Sequence, residues 1–248
     1  MNRGPTVARF AVAAVGLALV VGCDKRQEAE AKQVVAPEPA MVAAPPTPIA
    51  TKKEELGDDE TWNPEWDKIV ELALPPEMLS NRVPRDVRRF CPRFYEMSEV
   101  DKRGFWAYFF QALAGAEAGL KPTSRAKHTE PEMAVKDNVT GVAGRTEGLL
   151  QLTYEDQERY GCDFDWERDK VLKGHDPEKT ILQPKNNLEC GVRILEKQII
   201  EARKPLFSST GYWETLRPGT AGYRVFVKQM TNVPAACGVK GRRQVAAR

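Results

Sequence analysis

The sequence predicts a mainly α domain of the α+β class, with one small β excursion, and three observations predict it. Apolar residues recur at helical spacing in four separate stretches: Trp62, Trp66, Ile69 and Val70; Phe105, Trp106, Phe109, Phe110 and Leu113; Leu188, Val192, Leu195 and Ile199; and Tyr223, Phe226, Val227 and Met230. Helix punctuation brackets the longest of them, with Ser98 and Asp101 at its start and Gly119 and Pro122 after its end. The β-capable stretches are short and confined to the polar segment from Thr123 to Arg145, around the Asp137-Asn138 pair. The chain has 248 residues, 42% of them hydrophobic, which is enough for one ordinary core with tails. No internal repeat is evident.

The N-terminal segment, residues 1–22, reads as an export signal. Arg3 and Arg9 precede the twelve-residue apolar run Phe10–Val21, which is too short to span a bilayer comfortably and suits a signal-peptide core. It ends in Val20-Val21-Gly22-Cys23, which resembles the bacterial lipoprotein cleavage box. That resemblance implies that Cys23 becomes the first mature residue and carries a lipid. An ordinary secretory signal or an uncleaved anchor is the alternative. The expected location is therefore exported, lipid-anchored in the membrane, and facing the periplasm or cell wall. Residues 23–60 are rich in Ala, Pro, Glu and Lys and read as a flexible linker. At ~3 Å per extended residue such a linker reaches at most about 100 Å from the membrane. The folded domain is expected over residues 61–237, and residues 238–248, with Lys240, Arg242 and Arg243, read as a disordered basic tail.

Charge and cysteine usage exclude several classes. With 37 basic and 35 acidic residues the net charge is +2, which is no electrostatic footprint for nucleic acid. Setting Cys23 aside, Cys91, Cys162, Cys190 and Cys237 remain, an even number that in an exported domain suggests two disulfides. Of the three connectivities, Cys162–Cys190 with Cys91–Cys237 is favoured, the latter tying the two ends of the domain together. No CxxC spacing and no histidine pair at helical spacing occurs, so neither metal nor cofactor is expected. His128 and His175 are each flanked by polar residues and read as solvated. A monomer is expected.

Along the domain, a short amphipathic helix from Trp62 should end at Pro75-Pro76, and a second short piece runs from Pro84 to Cys91. A long helix carries from Ser98 to Glu117. The segment from Thr123 to Arg145 is a loop or small hairpin, Gly148 to Tyr160 is helical, and Cys162 to Pro184 is charged and irregular. Two further amphipathic helices follow. Glu117 stands out because Trp106, Phe110, Leu113 and Glu117 succeed one another at steps of four, three and four, which puts the acid on the apolar stripe. A carboxyl held in low dielectric has a raised pKa, and a neutral carboxylic acid is what a general acid in glycoside cleavage needs.

These residues resemble the lysozyme-like, soluble lytic transglycosylase family. Its catalytic acid stands in a Glu-Ser-Gly-Phe-x-Pro type motif at a helix end, to which Glu117-Ala118-Gly119-Leu120-Lys121-Pro122 is similar. Its second motif, Gly-Leu-Met-Gln, is similar to Gly148-Leu149-Leu150-Gln151, and Asp176-Pro177 and Asn187–Leu195 resemble the stretch that follows. The resemblance covers roughly residues 98–232. It departs from the family at Ala118, at Leu150 and at the third motif, Ala-Tyr-Asn, whose tyrosine supports the acid. Tyr212 stands at about that place as a substitute, with Tyr223 competing for the role.

The resemblance implies a lysozyme-like helical domain with a cleft beside Glu117, acting on peptidoglycan glycan strands at the β-1,4 bond between N-acetylmuramic acid and N-acetylglucosamine. Glu117 would serve as acid and then as base, giving a 1,6-anhydro product, as in a lytic transglycosylase. The alternatives are a lysozyme-type hydrolase of the same bond and a lipoprotein that binds peptidoglycan without cutting it. Hydrolysis calls for a second carboxylate, ~6.5–9.5 Å from the first for inversion or about 5–5.5 Å for retention. Asp137 leads the candidates because a cleft-lining hairpin would fall between the two motifs. Glu130, Glu132 and Glu147 follow, and each of the four also reads as a solvated loop acid. Gln151 and Leu150 join Tyr212 as expected substrate-binding residues.

Overall fold

The computed structural model describes residues 61–129 and 134–238. The signal segment, Cys23, the linker, Glu130, Glu132 and the basic tail beyond residue 238 lie outside the described residues. The helices are α1 (Pro64–Ala73), α2 (Glu99–Ala118), α3 (Asp156–Tyr160), α4 (Trp166–Asp169), α5 (Pro184–Glu196) and α6 (Ala221–Gln229). The strands β1 (Arg125–Lys127) and β2 (Arg145–Glu147) pair antiparallel, Ala126 opposite Thr146. Several 3-10 turns connect the helices, and no described helix is long and apolar enough to cross a membrane.

α2 is the axis of the core. Ser98 caps it by accepting the Asp101 N–H at 3.1 Å, and Gly119 ends it in the left-handed region at φ 59°, returning its N–H to the carbonyls of Ala114 and Gly115. Phe105, Trp106, Phe109, Phe110 and Leu113 are fully buried, and Ala107, Tyr108, Ala112 and Ala114 are buried too, so α2 is covered on nearly every side rather than along a stripe. α1 and α6 pack on it, and α1 also packs on α5. The rings meet edge to face, Trp106 with Phe105 at 5.2 Å and Phe109 with Phe226 at 5.2 Å, and the Trp106 indole N–H donates to the Met78 carbonyl at 2.8 Å. Each such side chain contributes roughly 1.5–3 kcal/mol by leaving water.

α5 starts with Pro184 at its first turn, where a missing N–H costs nothing, and buries Leu188, Val192 and Leu195. It then widens into a π turn over Lys197–Glu201 that keeps Ile199 and Ile200 inside.

The expected helix from Gly148 to Tyr160 is corrected: only Asp156–Tyr160 is helical. Residues 148–152 form a tight turn closed by two backbone bonds between Glu147 and Leu152, at 2.8 and 2.9 Å. Gly148 has φ 85° and Gln151 φ 51°. The cause lies 37 residues on. The Asn187 side-chain oxygen accepts the Leu150 N–H at 2.8 Å, and its amide donates to the Glu147 carbonyl at 3.3 Å and the Ile181 carbonyl at 2.9 Å. A side chain at 148 would collide with the Asn187 amide, so glycine is required there. The stretch from Cys162 to Pro184 is also more ordered than its composition suggests. It holds α4 and a 3-10 turn, and Phe164, Ile181 and Leu182 are buried in it.

Cys91 is bonded to Cys237 and Cys162 to Cys190, closing loops of 146 and 28 residues. Chain-entropy scaling makes the long closure worth about 5 kcal/mol and the short one about 3–4 kcal/mol. Denaturant unfolding of Cys91→Ser/Cys237→Ser and of Cys162→Ser/Cys190→Ser is expected to show losses of that size, the larger for the first pair. The reverse order would mean that strain or residual structure, not loop length, governs these bridges.

Candidate active site

A cleft of about 480 Å³ opens beside the end of α2. Glu117 lines it from α2; His128, Asp137, Arg145 and Thr146 from the hairpin; Gln151 and Thr153 from the tight turn; Arg159 and Tyr160 from α3; and Gln198 and residues 210–215 with Arg217 from the far side.

Glu117 accepts a hydrogen bond from the Thr215 hydroxyl. Its pKa is pushed up from 4.5 to about 7, first by burial; the Thr215 bond works the other way, and the negative charge of Glu214 adds to the rise. Glu117 therefore holds its proton well above the ordinary carboxyl range and can still release it near neutrality, as an acid–base group must.

The partner of Glu117 differs from the expected tyrosine. Tyr212 lines the cleft, but its hydroxyl donates to Asp156 Oδ2 at 2.6 Å, and Thr215 takes the place beside the acid. Asp156 is fully buried at the start of α3 and also accepts from the Thr153 N–H at 2.8 Å. Burial raises its pKa, while the bonds from Tyr212 and Thr153 oppose the rise. Tyr223 is no competitor: it is buried outside the cleft against Phe207, with the Arg89 guanidinium 5.2 Å from its ring.

The segment bearing Thr215 is held at several points. The Tyr212 N–H donates to Gln198 Oε1 at 3.0 Å, the Trp213 indole to the Leu150 carbonyl at 2.9 Å, and Arg217 Nε and Nη2 to the Gly211 carbonyl at 3.1 and 2.9 Å. Tyr160, Tyr212 and Trp213 form a run of edge-to-face rings, with centroids 6.0 and 4.9 Å apart.

The other expected residues divide. Asp137 does line the cleft, but Oδ1 accepts the N–H groups of Val139 at 2.9 Å and Thr140 at 2.7 Å, and Oδ2 accepts that of Glu155 at 3.1 Å. It organises the hairpin and joins it to α3. Glu147 is no solvated loop acid: it is buried, paired with buried Lys179 at 2.5 Å and Arg125 at 3.4 Å, away from the cleft. Leu150 is core rather than substrate contact, since its side chain packs where Gly191 has no Cβ. Gln151 reaches the cleft wall, yet its Nε2 donates to the Gly148 carbonyl at 2.8 Å and its Oε1 accepts from Thr146 at 2.9 Å.

His175 is exposed, whereas His128, expected to be solvated, is half-buried in the cleft wall. Thr215 and Asp156 were missed because neither carries a periodic or motif signal. No three histidine, cysteine or acidic side chains among the described residues gather to hold a metal ion.

No protein-family model matches the chain, and no curated protein matches it. Solved structures do. Wild-type DslA of Bdellovibrio is 26% identical with a TM-score of 0.54, over 70% of this chain and 91% of that one. A Glu→Gln variant of DslA matches with the same values, and a second Glu→Gln variant at 24% identity and a TM-score of 0.52, over 69% of this chain and 91% of that one. The chain is thus a mainly helical domain with a two-stranded antiparallel hairpin, similar in fold to DslA.

Proposed function

We propose that this protein is a lysozyme-like enzyme that cleaves the glycan strands of peptidoglycan at the β-1,4 bond between N-acetylmuramic acid and N-acetylglucosamine, with Glu117 as general acid. The observation that carries the reading is the Glu117 carboxyl, bonded to Thr215 at the wall of a cleft of about 480 Å³, with burial pushing its pKa up to about 7. The likeness to DslA supports it, because two of the matched structures replace a glutamate by glutamine, the change that removes carboxyl proton chemistry while keeping the shape. Two disulfides suit an oxidising compartment outside the cytoplasm, where the wall lies. A lipid on Cys23 and the Pro-rich stretch behind it would tether the domain within reach of that wall.

In this reading Glu117 protonates the glycosidic oxygen as the bond to the anomeric carbon breaks through an oxocarbenium-like state. The carboxylate so formed then takes the proton of the sugar's own 6-hydroxyl, which closes on the anomeric carbon and gives a 1,6-anhydro end. Of the second carboxylates expected from the sequence that are described, Asp137 is committed to backbone N–H groups and Glu147 to a buried ion pair; Glu214 is the cleft acid whose charge reaches Glu117, and the chemistry of the product's end separates its help from one acid acting twice.

Glu117→Gln is expected to lower release of fragments from purified cell walls by about 10²–10⁴-fold. Equal release by the two proteins overturns the reading. Mass spectrometry of the wild-type products should show ends lighter by one water than hydrolysis leaves; reducing ends would assign water as the nucleophile instead.

The same variant has a stability signature. Below pH 4.5 the Glu117 carboxyl is protonated in both folded and unfolded chains and costs nothing; between 4.5 and about 7 the unfolded chain releases the proton first, so the folded state loses ground as pH rises. Above about 7 the full penalty, up to about 3 kcal/mol, stands. Glu117→Gln should therefore gain stability over wild type at pH 8 and far less at pH 4, as read by thermal unfolding at the two values.

Thr215→Val removes the hydroxyl that favours the ionised acid, so the alkaline limb of the activity profile should move to higher pH. An unmoved limb would show that Thr215 does not touch the titrating group.

A further inference from the structure

His128 has no place in the mechanism above, yet it stands in the cleft wall, and the hydrogen bonds around it select one tautomer. Its backbone N–H donates to the Gly144 carbonyl at 2.7 Å across the hairpin, and a Cβ on Gly144 would collide with the His128 carbonyl, so the two strands meet closely here. The direction of each hydrogen bond follows from the first. The Gly148 carbonyl can only accept, so the amide nitrogen of Gln151 must face it at 2.8 Å, which turns Gln151 Oε1 toward Thr146. Oε1 can only accept, so the Thr146 hydroxyl proton is spent on it at 2.9 Å. The lone pairs of Thr146 Oγ1 are what remain for His128 Nε2, at 3.2 Å, and Nε2 must carry the proton. In neutral His128 the other ring nitrogen, Nδ1, is then a bare acceptor. It has no hydrogen-bond partner among the described residues and is not among the buried polar atoms.

We propose that His128 is a substrate-positioning residue whose Nδ1 accepts a hydrogen bond from a donor on the bound sugar, a hydroxyl or an amide N–H. This rests on the glycan-cleaving reading of Glu117. It assigns to Gln151, the last residue of the second motif, the work of orienting His128 through Thr146 rather than of touching the sugar itself.

Two measurements test it. Imidazole ¹⁵N shifts of His128 in Glu117→Gln at alkaline pH should show the Nε2–H tautomer, and Thr146→Val should relax it to a mixture. An Nδ1–H tautomer in Glu117→Gln overturns the proposal without reference to any ligand. Calorimetric binding of a β-1,4-linked N-acetylglucosamine tetramer to Glu117→Gln should weaken about tenfold on adding His128→Ala, the worth of one neutral hydrogen bond. His128→Asn, whose side-chain oxygen reaches the place of Nδ1, should keep part of that affinity. Equal binding by Glu117→Gln and its His128→Ala derivative overturns the role of His128 while leaving the glycan reading intact. Absence of binding by Glu117→Gln itself, with its fold intact by circular dichroism, overturns the glycan reading and the proposal together.

Discussion

The cleft depends on one amide. Asn187 stands on α5, and its side chain bonds the backbone at Leu150, Glu147 and Ile181 in a site where no water competes. A buried backbone group left without a partner costs about 1–3 kcal/mol, so the turn over residues 148–152 is held in one conformation. Both cleft walls hang from that turn. On one side Gln151 binds Thr146, and Thr146 binds His128 in the hairpin. On the other, the Leu150 carbonyl receives the Trp213 indole, two residues from the Thr215 hydroxyl on Glu117. The acid and the hairpin are thus referred to a common fixed point that neither of them contains.

Rigidity of this kind has a purpose at an acid that is unhappy where it sits. Burial is what lifts Glu117 to about 7, and burial of an ionised carboxyl is opposed by the fold above that pH. A loosely held segment would hydrate the carboxyl further and return it toward its ordinary range. The chain prevents this by locking the segment that covers it: Tyr212 to Asp156 and Gln198, Trp213 to Leu150, Arg217 to Gly211. The cost of keeping a carboxyl out of water is offset by the aromatic core around α2 and by two disulfides.

What could be read from the sequence follows from how local each cause is. The long helix, its Ser98 cap and its Gly119 stop are set by residues within a few positions of one another, and Glu117 stands on its last turn as the sequence places it, half-buried at the cleft, although α2 is covered on nearly every side and has no single apolar stripe. The turn at 148 was misread as helix because the residue that bends it lies on α5, beyond the reach of any window. Leu150 was misread as a sugar contact for the same reason: the gap it fills belongs to Gly191. Thr215 has neither periodicity nor a motif to announce it, and only the folded chain brings it to the acid. His128 looked solvated because its sequence neighbours are polar, but its surroundings are set across the hairpin by Gly144 and Thr146.

Tyr212 is the most instructive of these, because it stands in the cleft while doing different work. A tyrosine bonded to the acid would stabilise the carboxylate directly. Here the phenol is given to Asp156, and a smaller hydroxyl, three residues on, meets Glu117. The exchange separates two functions that one tyrosine would combine. Tyr212 anchors the segment to α3 through a bond of 2.6 Å to the buried Asp156, and Thr215 adjusts the acid. Thr215 carries little bulk and sits where Gly222 of α6 leaves room for it, its Oγ1 3.2 Å from where a Cβ at 222 would stand. α6 and the segment thus meet closely beside the acid, and a methyl group at 222 would have to displace Thr215, the residue that bonds Glu117, by a few tenths of an ångström.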